Sequence, residues 1–91
     1  MNRIEIHRGN VTGGWGVTEM SGHPKIAIDY DVYREDEPFW RHFIIESRKA
    51  GHQVECDGVT DDDAENKRRM AFLPEGTPLT KRHESGGIHI H

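Results

Sequence analysis

Residues 25–33 read KIAIDYDVY, and how this stretch is continued in space decides the fold. Ile26, Ile28, Tyr30 and Val32 alternate with Ala27, Asp29, Asp31 and Tyr33. A period of two over such a run marks a half-buried β-strand. Upstream, residues 2–8 alternate in the same way, with Ile4 and Ile6 on one side and Arg3, Glu5 and His7 on the other. Residues 15–20 offer a further strand with Trp15 and Val17 inward. The connections are short, GNVTGG at 9–14 and the turn cluster Ser21-Gly22-His23-Pro24. Three consecutive strands so joined predict a three-stranded antiparallel meander with one face wet and the other covered.

The cover is the next segment, residues 36–51, DEPFWRHFIIESRKAG. Asp36 or Glu37 can cap a helix there, and Pro38 falls in the first turn, where its missing N–H costs nothing. Acids crowd the start, Arg48 and Lys49 the end, and Gly51 follows in the C′ position. At about 100° per residue, Phe39, Trp40, Phe43, Ile44, Ser47 and Ala50 share one face while Ile45 points away. That stripe is a core face.

Downstream, residues 52–59 alternate again, with Val54 and Cys56 opposite Gln53, Glu55 and Asp57. Thr60 followed by Asp61, Asp62 and Asp63 resembles a helix start with a threonine cap, and Lys67, Arg68 and Arg69 fall near its end. This second helix is short and polar, with only Ala64 and Ala71 at apolar spacing. Residues 70–73 read as a short strand, and Leu73-Pro74-Glu75-Gly76 as a type I turn. The expected fold is therefore α+β: the meander plus one to three further short strands, packed on one main amphipathic helix. The domain spans residues 1–73. Residues 74–91 form a segment rich in Pro, Gly and charge whose last four, IHIH, read as a short edge strand.

A chain of 91 residues makes one small core, which leaves a homodimer open. A net charge of −4 and a pI near 5.9 lack the basic excess of a nucleic-acid binder, so direct nucleic-acid binding is not expected. The charge suits a protein partner with a basic surface instead. Cys56 is the single cysteine, which points to a reducing, cytoplasmic setting. No apolar run suggests a leader or a membrane span. Histidine is abundant: protonating all 7 would turn −4 into +3.

The composition points first to a small non-enzymatic interaction protein, an adaptor or inhibitor, such as a mobile-element-type inhibitor of a nucleic-acid-handling complex. Its partner-binding residues would be Asp29, Asp31, Asp57, Asp61, Asp62, Asp63, Glu65 and Trp15, with no catalytic residue and no cofactor. The alternative is a histidine metal site, zinc being the candidate ion. Two imidazoles on one strand face, His89 and His91, can reach one ion, and His7 would join if that strand lies beside the first. A third reading is a magnesium-dependent hydrolase or nuclease, because Asp29 and Asp31 on one strand face are a pair of hard oxygen donors. Cys56 is a poor nucleophile candidate, since Glu55 and Asp57 flank it and disfavour the thiolate. The loop GNVTGGWG lacks the lysine and following helix of a phosphate-binding loop.

Overall fold

The computed structural model describes residues 3–7, 25–81 and 88–90. The loop expected at 9–14, the strand expected at 15–20 with Trp15, and His91 all lie outside them. The described chain runs β1 (Arg3–Ile6), β2 (Lys25–Asp29), α1 (Tyr30–Glu35), α2 (Glu37–Lys49), β3 (Val54–Asp57), α3 (Asp63–Phe72), β4 (Leu79–Thr80) and β5 (Ile88–Ile90). The strands form one five-stranded sheet in the order β4-β3-β2-β1-β5.

The antiparallel meander is overturned. β1, β2, β3 and β4 each run parallel to their neighbours, and only β5 is antiparallel, against β1. For β2 and β3 the reason lies in residues 25–33. Their alternation continues past Asp29, but the strand does not: Asp29 becomes the N-cap of α1, its side chain accepting the N–H of Asp31. Tyr30, Asp31, Val32 and Tyr33 are then helical, and the consecutive Val32 and Tyr33 are both buried. Asp29 and Asp31 thus share a cap, not a strand face. A strand that leaves the sheet through helices returns parallel, and α1 with α2 supplies the crossover to β3.

α2 follows the sequence reading closely. Asp36 is its N-cap residue, Pro38 lies in its first turn and Gly51 takes the positive φ of 101° just past its end. Trp40, Phe43, Ile44 and Ser47 are buried, and Ile45 is exposed. The buried rings pack edge to face, with Trp40 and Phe43 centroids 5.2 Å apart, and Phe39 covers Trp40 from the rim at 4.8 Å. Ser47 returns its hydroxyl to the Phe43 carbonyl at 2.6 Å, which satisfies the one polar group of the stripe. Against this face stand Ile4, Ile6, Ile26, Ile28, Val54 and Cys56 from the three central strands.

Residues 70–72 finish α3 instead of forming a strand. The turn after Leu73 is shifted by one residue: the N–H of Thr77 donates to the Pro74 carbonyl, and Gly76 takes φ +84° in the third position. That is where a type II turn demands glycine. Beyond it, Leu79–Thr80 pairs parallel with β3, and Ile88–Ile90 docks on β1 with Glu5 opposite His89. Among the described residues, no helix is long and apolar enough to cross a membrane.

Adjacent isoleucines on α2 separate the two helix faces. Ile44→Ala should cost about 2–5 kcal/mol in urea unfolding, a buried large-to-small change. Ile45→Ala should stay within about 0.5 kcal/mol of the parent. Equal losses at both positions would contradict the packing.

Candidate functional site

In a parallel sheet the carboxyl ends of the strands converge on one edge, where open α/β sheets take their ligands. Register places Ile6 beside Ile28, Ile28 beside Cys56, and Asp29 beside Asp57. His7 follows directly on Ile6. The even-numbered residues of these strands face α2, so His7, Asp29 and Asp57 lie on the opposite face. All three are buried.

Each carboxylate at this edge has a fixed orientation. Asp29 Oδ1 accepts the Asp31 N–H at 2.9 Å, and its Oδ2 lies 3.6 Å from His7 Nδ1. The other ring nitrogen of His7 is 3.4 Å from Glu5 Oε1. Asp57 Oδ1 accepts the Thr80 hydroxyl at 2.7 Å, so β4 sets the Asp57 side chain from the neighbouring strand. The pair opens on a cleft of about 210 Å³ that Asp31, Thr60 and Arg69 also line.

The walls of that cleft follow from local chemistry. Gly58 leaves β3 so close to α1 that a Cβ there would stand 2.8 Å from the Cβ of Tyr30. Glycine is needed for that approach. Thr60 and Asn66 close the loop onto α3: the Thr60 N–H donates to Asn66 Oδ1 at 2.9 Å, and Asn66 Nδ2 to the Thr60 carbonyl at 3.0 Å. Arg69 reaches back from α3, donating from Nη1 to the Gly58 carbonyl at 2.6 Å and from Nε to Glu65 at 3.3 Å. Its guanidinium lies 4.7 Å over the Tyr30 ring, which fixes one cation at the rim of an acidic cleft.

The fold divides the residues singled out as partner-binding. Asp29, Asp31 and Asp57 come together at the carboxyl edge. Asp62 is the N-cap of α3, accepting from Ala64 and Glu65 N–H, so the cap expected at Thr60 sits two residues later. Glu65 is ion-paired with Arg68 and Arg69. Asp61, Asp62 and Asp63 are exposed. Of the histidine set, His7 lies among carboxylates and His89 stands opposite Glu5 in the sheet register. Among the described residues, no group of three or more His, Cys, Asp or Glu side chains is placed to hold a metal ion. Magnesium does not require one, since it takes one or two protein carboxylates and keeps several waters.

Sequence reasoning missed Arg69, Gly58 and Thr80. No local signal identifies Arg69 among three adjacent basic residues, whereas Gly58 directly after a strand was a visible sign of close backbone approach. Cys56 lies one residue before Asp57 on the core face, fully buried, and burial pushes its thiol up to about 12, with the charges of Asp57 and Asp29 acting in the same sense. It is structural. Compared with known proteins, the chain matches no family profile, no curated protein and no solved structure.

Burial likewise raises the Tyr33 phenol to about 12, against the pull of Arg41. Both groups keep their protons in the fold at pH values where the unfolded chain releases them, from about 9 for cysteine and 10 for tyrosine. Stability should therefore hold below pH 9 and fall between about pH 9 and 12. Urea unfolding across that range tests this, and Cys56→Ala should flatten the first part of the fall. A flat profile in the parent protein would contradict both shifts.

Proposed function

We propose that this chain binds magnesium at the carboxyl edge of its sheet and hydrolyses a phosphate ester there. The observation that carries the reading is the register of Asp29 with Asp57, two buried carboxylates on adjacent parallel strands at the mouth of a shared cleft. Hard oxygen donors of this kind suit magnesium, and a bound magnesium draws phosphate oxygens to itself and offsets their charge. Asp29 and Asp57 would hold the ion. Asp31 lines the same cleft with its carboxylate part-exposed, and so has the access to take a proton from an attacking water. Water adds to phosphorus as its proton passes to Asp31, the ester P–O bond breaks, and the leaving oxygen takes a proton from solvent to depart as the alcohol. Arg69 supports the reading as a cation at the rim, suited to phosphate oxygens.

The test uses protein stripped with EDTA. Magnesium chloride should raise its Tm above that in sodium chloride of equal ionic strength, and p-nitrophenyl phosphate should turn over only with magnesium present. Asp29→Asn and Asp57→Asn should each abolish the thermal shift. Asp31→Asn should keep the shift and lose about 10²–10⁴ in turnover. Absence of both shift and turnover in the parent protein would end the proposal.

A second reading, an acidic protein docked on a basic partner surface, draws on the exposed carboxylates of Asp61, Asp62 and Asp63. Asp61→Lys with Asp63→Lys spares the Asp62 cap and reverses the charge of that face. Affinity capture from the native host should then lose a salt-sensitive partner. Retention of the same partner would remove this segment from the binding surface.

A further inference from the structure

The opposite edge of the sheet carries a second and larger concavity, of about 380 Å³. It is built where β2 and β3 begin, α2 ends and the 74–77 turn passes, and its polar lining comes from Lys25, Arg48, His52, Gln53 and Glu55. Its charge is opposite to that of the acidic cleft. Glu55 is buried, but Lys25 neutralises it at 2.9 Å. Arg48 is half-buried and makes no ion pair among the described residues. Loss of hydration at this site lowers its pKa, since no carboxylate acts in the other direction.

Arg48 has a structural role that uses only part of its capacity. Nη1 donates to the Glu75 carbonyl at 2.8 Å and Nη2 to the Val54 carbonyl at 3.2 Å, which pins the guanidinium between the turn and β3. A guanidinium carries five N–H groups, so roughly three remain for a ligand. They belong to a cation whose orientation is fixed beforehand, so little entropy is lost on binding. His52, buried beside it, and Gln53 add further hydrogen-bonding groups to the lining.

From this geometry we infer that the pocket between Arg48, His52 and Lys25 is a binding site for a small oxyanion, a phosphate or carboxylate group. It is separate from the magnesium cleft, lying at the other end of the same strands, and does not depend on phosphate-ester hydrolysis. A ligand placed here would have its charge met by Arg48, the Lys25 ammonium at the rim being paired with Glu55.

Titration of ¹⁵N-labelled full-length protein with inorganic phosphate, and separately with sodium acetate, tests the inference. EDTA keeps metal out of the other cleft, and sodium chloride at equal ionic strength is the control. Saturable shifts of the Gln53, Val54 and Gly76 amides are expected. Response to phosphate alone assigns a tetrahedral dianion, response to acetate alone a carboxylate, and response to both a general oxyanion; each supports the site. Arg48→Met should raise the apparent Kd at least about tenfold, the loss expected for one charge-assisted contact. Arg48→Lys, which keeps the charge without the fork, should fall between. The wild-type shift map stands even if Arg48→Met loosens the 74–77 turn. Non-saturating shifts, shifts centred on Gly58, Val59 and Thr60, or an unchanged Kd in a folded Arg48→Met protein would overturn it.

Discussion

A single hydrogen bond, from the backbone N–H of Asp31 to Oδ1 of Asp29, marks the point at which the chain stops being strand and becomes helix. Capping of this kind is worth about 1 kcal/mol, too little to set a topology unaided. The larger share comes from the first turn of α1. Helical geometry buries Val32 and Tyr33 side by side in the core, each worth about 1.5–3 kcal/mol. A strand would have sent one of them to the opposite face. With the chain leaving the sheet there, the return through α2 must bring β3 in parallel, and Asp57 arrives next to Asp29 as a consequence of register.

Parallel strands also give the sheet two chemically different edges. Helices that connect them run back against the strand direction, so α2 ends where β3 begins, with Arg48 and Lys49 in its last turn. The negative end of the helix dipole favours cations there. Carboxylates cap and terminate elements at the other edge, where Asp29 opens α1 and Asp57 closes β3. Basic and acidic side chains are thus separated by the length of a strand.

Much of this could be read from the sequence where apolar periodicity is strong. α2 was legible down to its cap, its proline and its C′ glycine, because Trp40, Phe43 and Ile44 recur at helical spacing and Gly51 needs a positive φ. Residues 25–33 misled for a physical reason. Ile26, Ile28, Tyr30 and Val32 satisfy a period of two, and the run is too short for a period of 3.6 to compete. The aspartate at its centre could be read as a wet face or as a cap. Only the tertiary burial of Val32 with Tyr33 decides between them. The pairing of Asp29 with Asp31 on one strand face falls with that strand, and the register sets Asp57 beside Asp29 instead.

α3 shows the limit of such reading most clearly. It has no buried side chain, so no stripe could have revealed where it lies. Its placement is polar. Asp62 caps its start, Arg69 holds the Gly58 carbonyl from its last turn, and the Tyr33 hydroxyl and Arg41 guanidinium both donate to the Phe72 carbonyl at its end. Leu73, immediately past the helix, supplies the one buried apolar anchor. Polar contacts near a surface contribute about 1 kcal/mol each and are exchanged readily for water. The wall of the acidic cleft that carries Arg69 is therefore held by polar contacts and not by core packing, and local opening there costs less than opening of the strands and α2.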